Sequence, residues 1–194
     1  GKYVDIGGKW IGPTQDRMYA LAKEYGISWY DTYNQGKNIL DLNNTIRTYT
    51  GLIPKMDVPS LLNIDYVLKK LDRLAGHVPV DKPWSIPEAK EWDSISLEAF
   101  ARKHCFTTNC YKVVRAGLET VFACELNEVS LLHALFYIRS GTNLNCLLSI
   151  DNGAQQHRIK GGMQALSEAV AKPFQDSIQF NRAVKRVTQQ DDLV

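Results

Sequence analysis

The sequence lacks any apolar run approaching the ~18 to 20 residues needed to cross a bilayer, and Gly1-Lys2-Tyr3 does not begin a signal peptide. Charge of one sign is missing too: 23 basic and 21 acidic residues leave a net charge of +2. The basic residues are scattered, with no Lys/Arg cluster interleaved with aromatics, so nucleic acid is not an expected partner. Cysteine is sparse. Cys105, Cys110, Cys124 and Cys146 are spaced neither as a Cys-x-x-Cys metal pair nor as a dense disulfide framework, and read as buried free thiols. His77, His104, His133 and His157 show no metal spacing and no partnered Ser or Cys, so they read as surface or satisfied histidines and no metal site is expected. These absences favour a cytoplasmic location, with a membrane anchor outside these residues left open.

What is present is an ordinary globular composition, 44% hydrophobic and 23% charged, which argues against wholesale disorder. A length of 194 residues suits one domain, or a domain and part of a second. The chain has no initiator Met and both begins and ends in strand-like segments, as a piece cut from something larger would.

Met18, Leu21, Ala22 and Tyr25 recur at helical spacing after a possible Thr14 cap and before the Gly26 stop, which predicts an amphipathic helix. Ile27 to Thr50 reads as short strands joined by turns at Asn34-Gln35-Gly36 and Asp41 to Asn44, giving a small antiparallel sheet. Ser60 is placed to cap a helix with Ile64, Val67, Leu68, Leu71 and Ala75 on one face and Gly76 as its stop. Three prolines and two tryptophans make Val78 to Trp92 an expected extended loop. Helices are predicted at about Leu97 to His104, Asn109 to Phe122 and Val129 to Ser140. Gly141 to Asn152 reads as a turn and a loose extended segment. After Gly161-Gly162 a helix carrying Met163, Leu166, Ala169 and Val170 stops at Pro173, and Ile178, Phe180, Ala183 and Val187 alternate as a half-buried strand does. Near Glu125 and Glu128, capping is favoured over acid–base catalysis.

The segment from Tyr3 to Arg17, with Val-Asp-Ile-Gly-Gly-Lys-Trp-Ile-Gly-Pro-Thr-Gln at its centre, reads as a strand, a glycine turn and a helix. Gly7 and Gly8 permit φ > 0 and remove the Cβ atoms that hold a flat ring system away. By itself that is an ordinary tight turn. The whole run, however, resembles the second flavin-contacting motif of the flavin amine oxidases, in particular the monoamine oxidase branch. Leu21-Ala-Lys-Glu-Tyr-Gly26 continues the likeness, as do Pro83-Trp84 with Glu91-Trp-Asp93, Glu125-Leu-Asn-Glu-Val-Ser130, and Asn152-Gly-Ala-Gln-Gln-His-Arg158 followed by Gly161-Gly162.

The resemblance implies an α+β architecture: a mainly helical substrate-domain region with small antiparallel strands, flanked by fragments of an FAD-binding α/β domain. Residues 1–29 would belong to the FAD-binding domain, 30–160 to the substrate-binding domain, and 161–194 to an incomplete return into the first. It implies oxidation of a primary or secondary amine to an imine, with FAD reduced and then reoxidised by O2. No protein residue is assigned a covalent or acid–base catalytic role, because the flavin carries that chemistry. By resemblance Gly7, Gly8 and Val184 contact the cofactor, Val184 on its adenine side. Trp10, Val121, Leu147, Leu148 and Gln155 contact the substrate. An amide at Gln155 can orient an amine without a charge that would trap it as ammonium. The family's pyrophosphate-binding glycine turn, its flavin-side lysine and its aromatic pair lie outside these residues, so this piece alone is expected to be inactive, not to retain FAD, and to be open to self-association. Two alternatives stand beside this reading. One is a non-catalytic binding or scaffold module of oxidase-like fold; the other is an oxidase of polyamines or amino acids, disfavoured by the lack of a histidine in the Gly-Gly-Lys-Trp-Ile-Gly run.

Overall fold

The computed structural model describes residues 3–189. Helix α1 spans Asp16–Glu24, followed by the short strand β1 (Trp29–Asp31) and the hairpin β2 (Asn38–Leu42) and β3 (Thr45–Tyr49). The mainly helical part is α2 (Val58–Ala75), α3 (Ala89–Ser94), α4 (Leu97–His104), α5 (Thr108–Phe122), α6 (Leu131–Ser140) and α7 (Leu144–Leu148). Strand β4 (His157–Ile159) and helix α8 (Met163–Ala171) close the described chain. The class is α+β, as expected.

The single antiparallel sheet expected from Ile27 to Thr50 is two separate pairs. β2 and β3 form the hairpin, with Leu42 opposite Thr45. Its two turn residues, Asn43 and Asn44, take φ 55° and 59°, the left-handed pair that a two-residue hairpin requires and asparagine tolerates. β1 instead pairs with β4, so that Trp29 lies opposite Ile159 and Asp31 opposite His157. A partner more than a hundred residues away leaves no local sequence signal.

Serine and threonine caps fix the starts of α4, α5 and α6. Ser96, Thr107 and Ser130 accept from the backbone N–H groups of Ala99, Cys110 and His133. At α2 the cap is Asp57, whose side chain accepts from Ser60 N–H, so the helix begins two residues before the expected Ser60. Thr14 does not cap α1. It sits at φ 80° in the turn after Pro13, and the Gln15 side chain accepts from Gly12 N–H instead. Two expected irregular segments contain helix. Asn143 caps α7 by accepting from Cys146 N–H, and the proline-rich stretch folds into a 3-10 turn at Pro83–Ser85 followed by α3. Proline at a helix start removes no needed donor, so those residues punctuate without preventing helix.

The buried side chains fall into two clusters. The larger joins α2, α4, α5 and α6 around Val67, Leu71, Leu97, Leu118 and Leu135. Inside it, Asn63 is a buried polar side chain with its bonds made. It donates to His104 O (2.9 Å) and accepts from Phe106 N (2.6 Å) and Thr107 N (3.1 Å), tying the end of α4 to the start of α5. The smaller cluster is Ile11, Ala22, Ile159 and Leu166, drawn from the first thirty residues and from β4 onward.

Two expected strands are not formed. Tyr3 to Ile6 and Ile178 to Val187 have no strand hydrogen bonds, and Phe180 (83%) and Val184 (80%) are exposed. Alternating hydrophobicity supplies a face, but a strand also needs a partner for its backbone groups, and no described strand pairs with either segment. The end of the second expected strand, at Val194, lies outside the described residues.

Candidate active site

The opening motif and the segment from Asn152 to Arg158 meet in space. Ile11 and His157 exchange backbone hydrogen bonds of 2.9 and 2.8 Å. Gly12 packs so closely that a Cβ there would lie 2.2 Å from Gly153 O. This is the close approach for which glycine is needed, one turn beyond the expected doublet. Gly7 and Gly8 themselves do not use positive φ, and a Cβ on either would meet nothing within 4 Å. Their surface is open.

His157 is clamped from both sides. Its Nδ1 lies 2.6 Å from the Tyr19 hydroxyl and its Nε2 lies 3.1 Å from Asp31 Oδ1. The Tyr19 ring stands edge-on to Trp29 at 5.0 Å, and burial raises the Tyr19 pKa above the ordinary phenol range. α1, β1 and β4 are thereby locked together behind the loop that carries Gln155.

Gln155 is held in place by two bonds. Its Nε2 donates to Leu147 O at 3.1 Å, and its backbone N–H donates to Ser149 O at 3.2 Å. With one amide hydrogen committed to α7, the carbonyl oxygen remains available as an acceptor. Gln155 lines a cleft of 660 Å³ together with Leu148, Asp151, Tyr33, Lys37 and Leu52. Leu148 and Leu52 also line an adjoining aliphatic recess of 90 Å³, with Ile53, Ile64, Val113 and Gly117.

The expected substrate residues therefore separate into two groups. Leu148 and Gln155 share the cleft, and Leu147 supplies the carbonyl that orients Gln155. Val121 lies on the last turn of α5, beyond the recess, whose wall is formed one turn earlier by Gly117, 3.8 Å from a Leu148 methyl if given a Cβ. A glycine inside a fifteen-residue helix was the available signal for that wall, since it costs about 1 kcal/mol relative to alanine there. Trp10 is half-buried, with Lys9 Nζ 4.3 Å from its ring centre, and lines neither cavity. Val184 lies in the exposed irregular stretch after α8.

Gly162 and Asp5 form a feature that sequence reasoning missed. Gly162 takes φ 86°, and a Cβ on it would lie 2.8 Å from the Tyr3 ring and 3.0 Å from Asp5 Oδ1. Asp5, with a side chain only 8% exposed, faces Arg158 at 3.4 Å. Among the described residues no group of His, Cys, Asp or Glu could hold a metal ion, and the four cysteines are free thiols. Burial raises the pKa of the Cys105 and Cys110 thiols, so they stay protonated and unreactive.

The sequence family described as flavin containing amine oxidoreductase matches residues 1–194. AofH of Mycobacterium tuberculosis, assigned as a flavin-containing monoamine oxidase, is 36% identical over 187 residues, covering 96% of this chain and 41% of AofH. The flavin-containing amine oxidase of Danio rerio is 29% identical over 194 residues, covering 100% of this chain and 37% of that protein. Among solved structures, a putrescine oxidase triple mutant redesigned in cofactor binding matches with a TM-score of 0.83 at 22% identity, over 91% of this chain and 39% of that one. Cyclohexylamine oxidase from Brevibacterium oxydans matches with a TM-score of 0.80 at 23% identity, over 88% and 38%. These structural likenesses concern the fold alone. The chain spans about two fifths of the length of the curated relatives it matches.

Proposed function

The chain belongs to the flavin containing amine oxidoreductase family, and from that premise we propose that it forms the substrate-binding portion of an FAD-dependent oxidase of small primary or secondary amines. The observation that carries this reading is the placement of Gln155. Its amide is fixed on the Leu147 carbonyl at 3.1 Å while it lines a cleft that opens beside aliphatic walls. The Gln155 oxygen would accept from the amine N–H, and the neutral amide would leave the nitrogen lone pair free of a counter-charge. Leu148 and its aliphatic neighbours would take the apolar part of the substrate and exclude water. Asp151 and Lys37 both line the cleft, so their charges offset, which favours monoamines over dications.

The open surface over Gly7 and Gly8 suits close approach by a flat ring, and these residues, with Val184, are proposed to hold FAD. When bound, FAD would supply the acceptor for the hydride equivalent lost from the amine α-carbon and return its electrons to O2. The protein's share is to bind, orient and desolvate the amine. The three residue spans expected for the two domains are part of the same proposal, supported by the separate buried cluster that joins Ile11 and Ala22 of the first span to Leu166 of the third, with Ile159 at the edge of the second. The isolated piece, missing most of the cofactor's contacts, is proposed to be inactive.

Hydrogen peroxide release by the full-length protein, screened over monoamines, diamines, polyamines and amino acids, tests this reading. Turnover confined to monoamines is expected. Peroxide release with none of these classes would favour the scaffold alternative.

A further inference from the structure

We propose that His157 is a positioning residue that registers the Gln155 loop against the opening motif and α1; its consequence for turnover rests on the amine oxidase reading. Residues 155 to 157 are each tied to a different element. Gln155 is held at α7 by its bonds to Leu147 O and Ser149 O. The Gln156 carbonyl accepts from Thr32 N–H at 2.7 Å, one residue past β1. His157 pairs with Ile11 of the opening motif, but that pairing is an isolated bridge of two backbone bonds and not a ladder. Taken alone, it is a weak joint.

The His157 side chain strengthens that joint. Asp31 is its cross-strand partner, and a carboxylate can only accept, so the proton of the neutral ring stands on Nε2. Nδ1 is then an acceptor, and the Tyr19 hydroxyl donates to it at 2.6 Å. Gln156 Nε2, 3.3 Å from the ring Nε2, is itself a donor and adds no bond; its amide is turned that way because its oxygen accepts from Asn152 N–H at 3.0 Å. The two ring bonds are unequal. The Asp31 side chain is 86% exposed, so water competes for its oxygens, whereas that of His157 is 17% exposed and the Tyr19 ring packs on Trp29 and the small buried cluster. Tyr19 therefore holds the ring, and Asp31 selects the tautomer that can accept from it. Tyr19 stands on α1, within the span proposed to bind FAD, and Gln155 within the substrate span. A slipped loop would keep the Gln155 amide on Leu147 O, and with it the bond offered to the amine, but would change the distance from amine to flavin. Misplacement by about 1 Å can cost about a hundredfold in rate. His157 thus acts on the rate of turnover and not on affinity.

Tyr19→Phe, which removes one hydroxyl and keeps the ring, tests this in the full-length protein by amide hydrogen exchange and by anaerobic flavin reduction. Exchange at the Ile11 and His157 amides should quicken about fivefold in Tyr19→Phe, and less in Asp31→Ala. Flavin reduction by a primary monoamine, followed per bound flavin, should slow about tenfold at saturating amine in Tyr19→Phe, with the amine Kd changed by less than about twofold. A purely structural role would lower the flavin content or the unfolding midpoint and leave the rate per bound flavin as it was. Unchanged exchange overturns the clamp, whether or not amines reduce the flavin. Quickened exchange with an unchanged limiting rate, or a loss carried entirely by Kd, overturns the positioning role. If no amine reduces the flavin of the parent, the amine reading fails and takes the role in turnover with it, while the exchange result still decides the clamp.

Discussion

Asp5 and Met163 lie 158 positions apart, yet Asp5 Oδ1 accepts the Met163 backbone N–H at 2.8 Å and so caps α8 from the opposite end of the chain. The residue at the cap position itself, Gly162, has no side chain and takes φ 86°. A carboxylate at that helix start also meets the favourable end of the dipole. Asp5→Ala should cost about 1 kcal/mol, and Asp5→Asn, which can still accept, should recover much of it. Thermal unfolding of the full-length protein would show this as a larger fall in midpoint for alanine than for asparagine. Equal falls would contradict the capping role.

Asn63 presents a sharper stability test. Its side chain makes three hydrogen bonds to the α4–α5 turn and is 6% exposed. Removing it leaves a part-buried carbonyl and two part-buried N–H groups without their partner, at about 1 to 3 kcal/mol for each group that water does not reach. Asn63→Leu should therefore destabilise by more than about 2 kcal/mol in urea unfolding. A change within experimental error would mean that water reaches the turn.

Glu98 supplies an acid-sensitive contribution. The Tyr111 hydroxyl, followed by Arg102 at 2.6 Å, holds its carboxyl below the usual range. A depressed folded pKa gives stability that is fully present above the unfolded value of about 4.3 and is lost as pH falls through the folded value. Glu98→Gln should thus be less stable than the parent near neutral pH, with the gap narrowing below about pH 4. A gap of constant size across that interval would assign the effect to something other than ionisation.

The helices were largely legible from sequence because their signals are local. Leu97–His104 appears at the expected residues, with Ser96 as its cap, and the α5 and α6 ends lie within two residues of expectation. Failures cluster where the deciding partner is remote. β1 pairs with β4 across more than a hundred residues, and Asp5 caps a helix that no pattern near it foretells. Segments such as Ile178 to Val187 alternate correctly yet stay irregular, because alternation does not supply a neighbouring strand. At the candidate site, Gln155 and Leu148, both expected by resemblance, line the same cleft. Gly117 was not expected, although a glycine inside a fifteen-residue helix was a signal for it.

Gln155 separates the roles of donor and acceptor. Gln155→Glu replaces the amide that donates to Leu147 O by a carboxylate, setting two acceptors against each other. It should lower kcat/KM for amines more than Gln155→Ala does, with losses of about tenfold to a hundredfold for alanine and unchanged unfolding midpoints for that variant. A glutamate variant as active as the parent would show that the orientation held by Leu147 is irrelevant to turnover.

The central claim is that this chain helps to form an amine-binding site beside a flavin. Its most direct test is the absorbance of the full-length protein, mixed anaerobically with a primary monoamine and then with O2. The account predicts that the flavin band bleaches on amine addition and returns with oxygen. A flavin band unchanged across a broad panel of amines would contradict it.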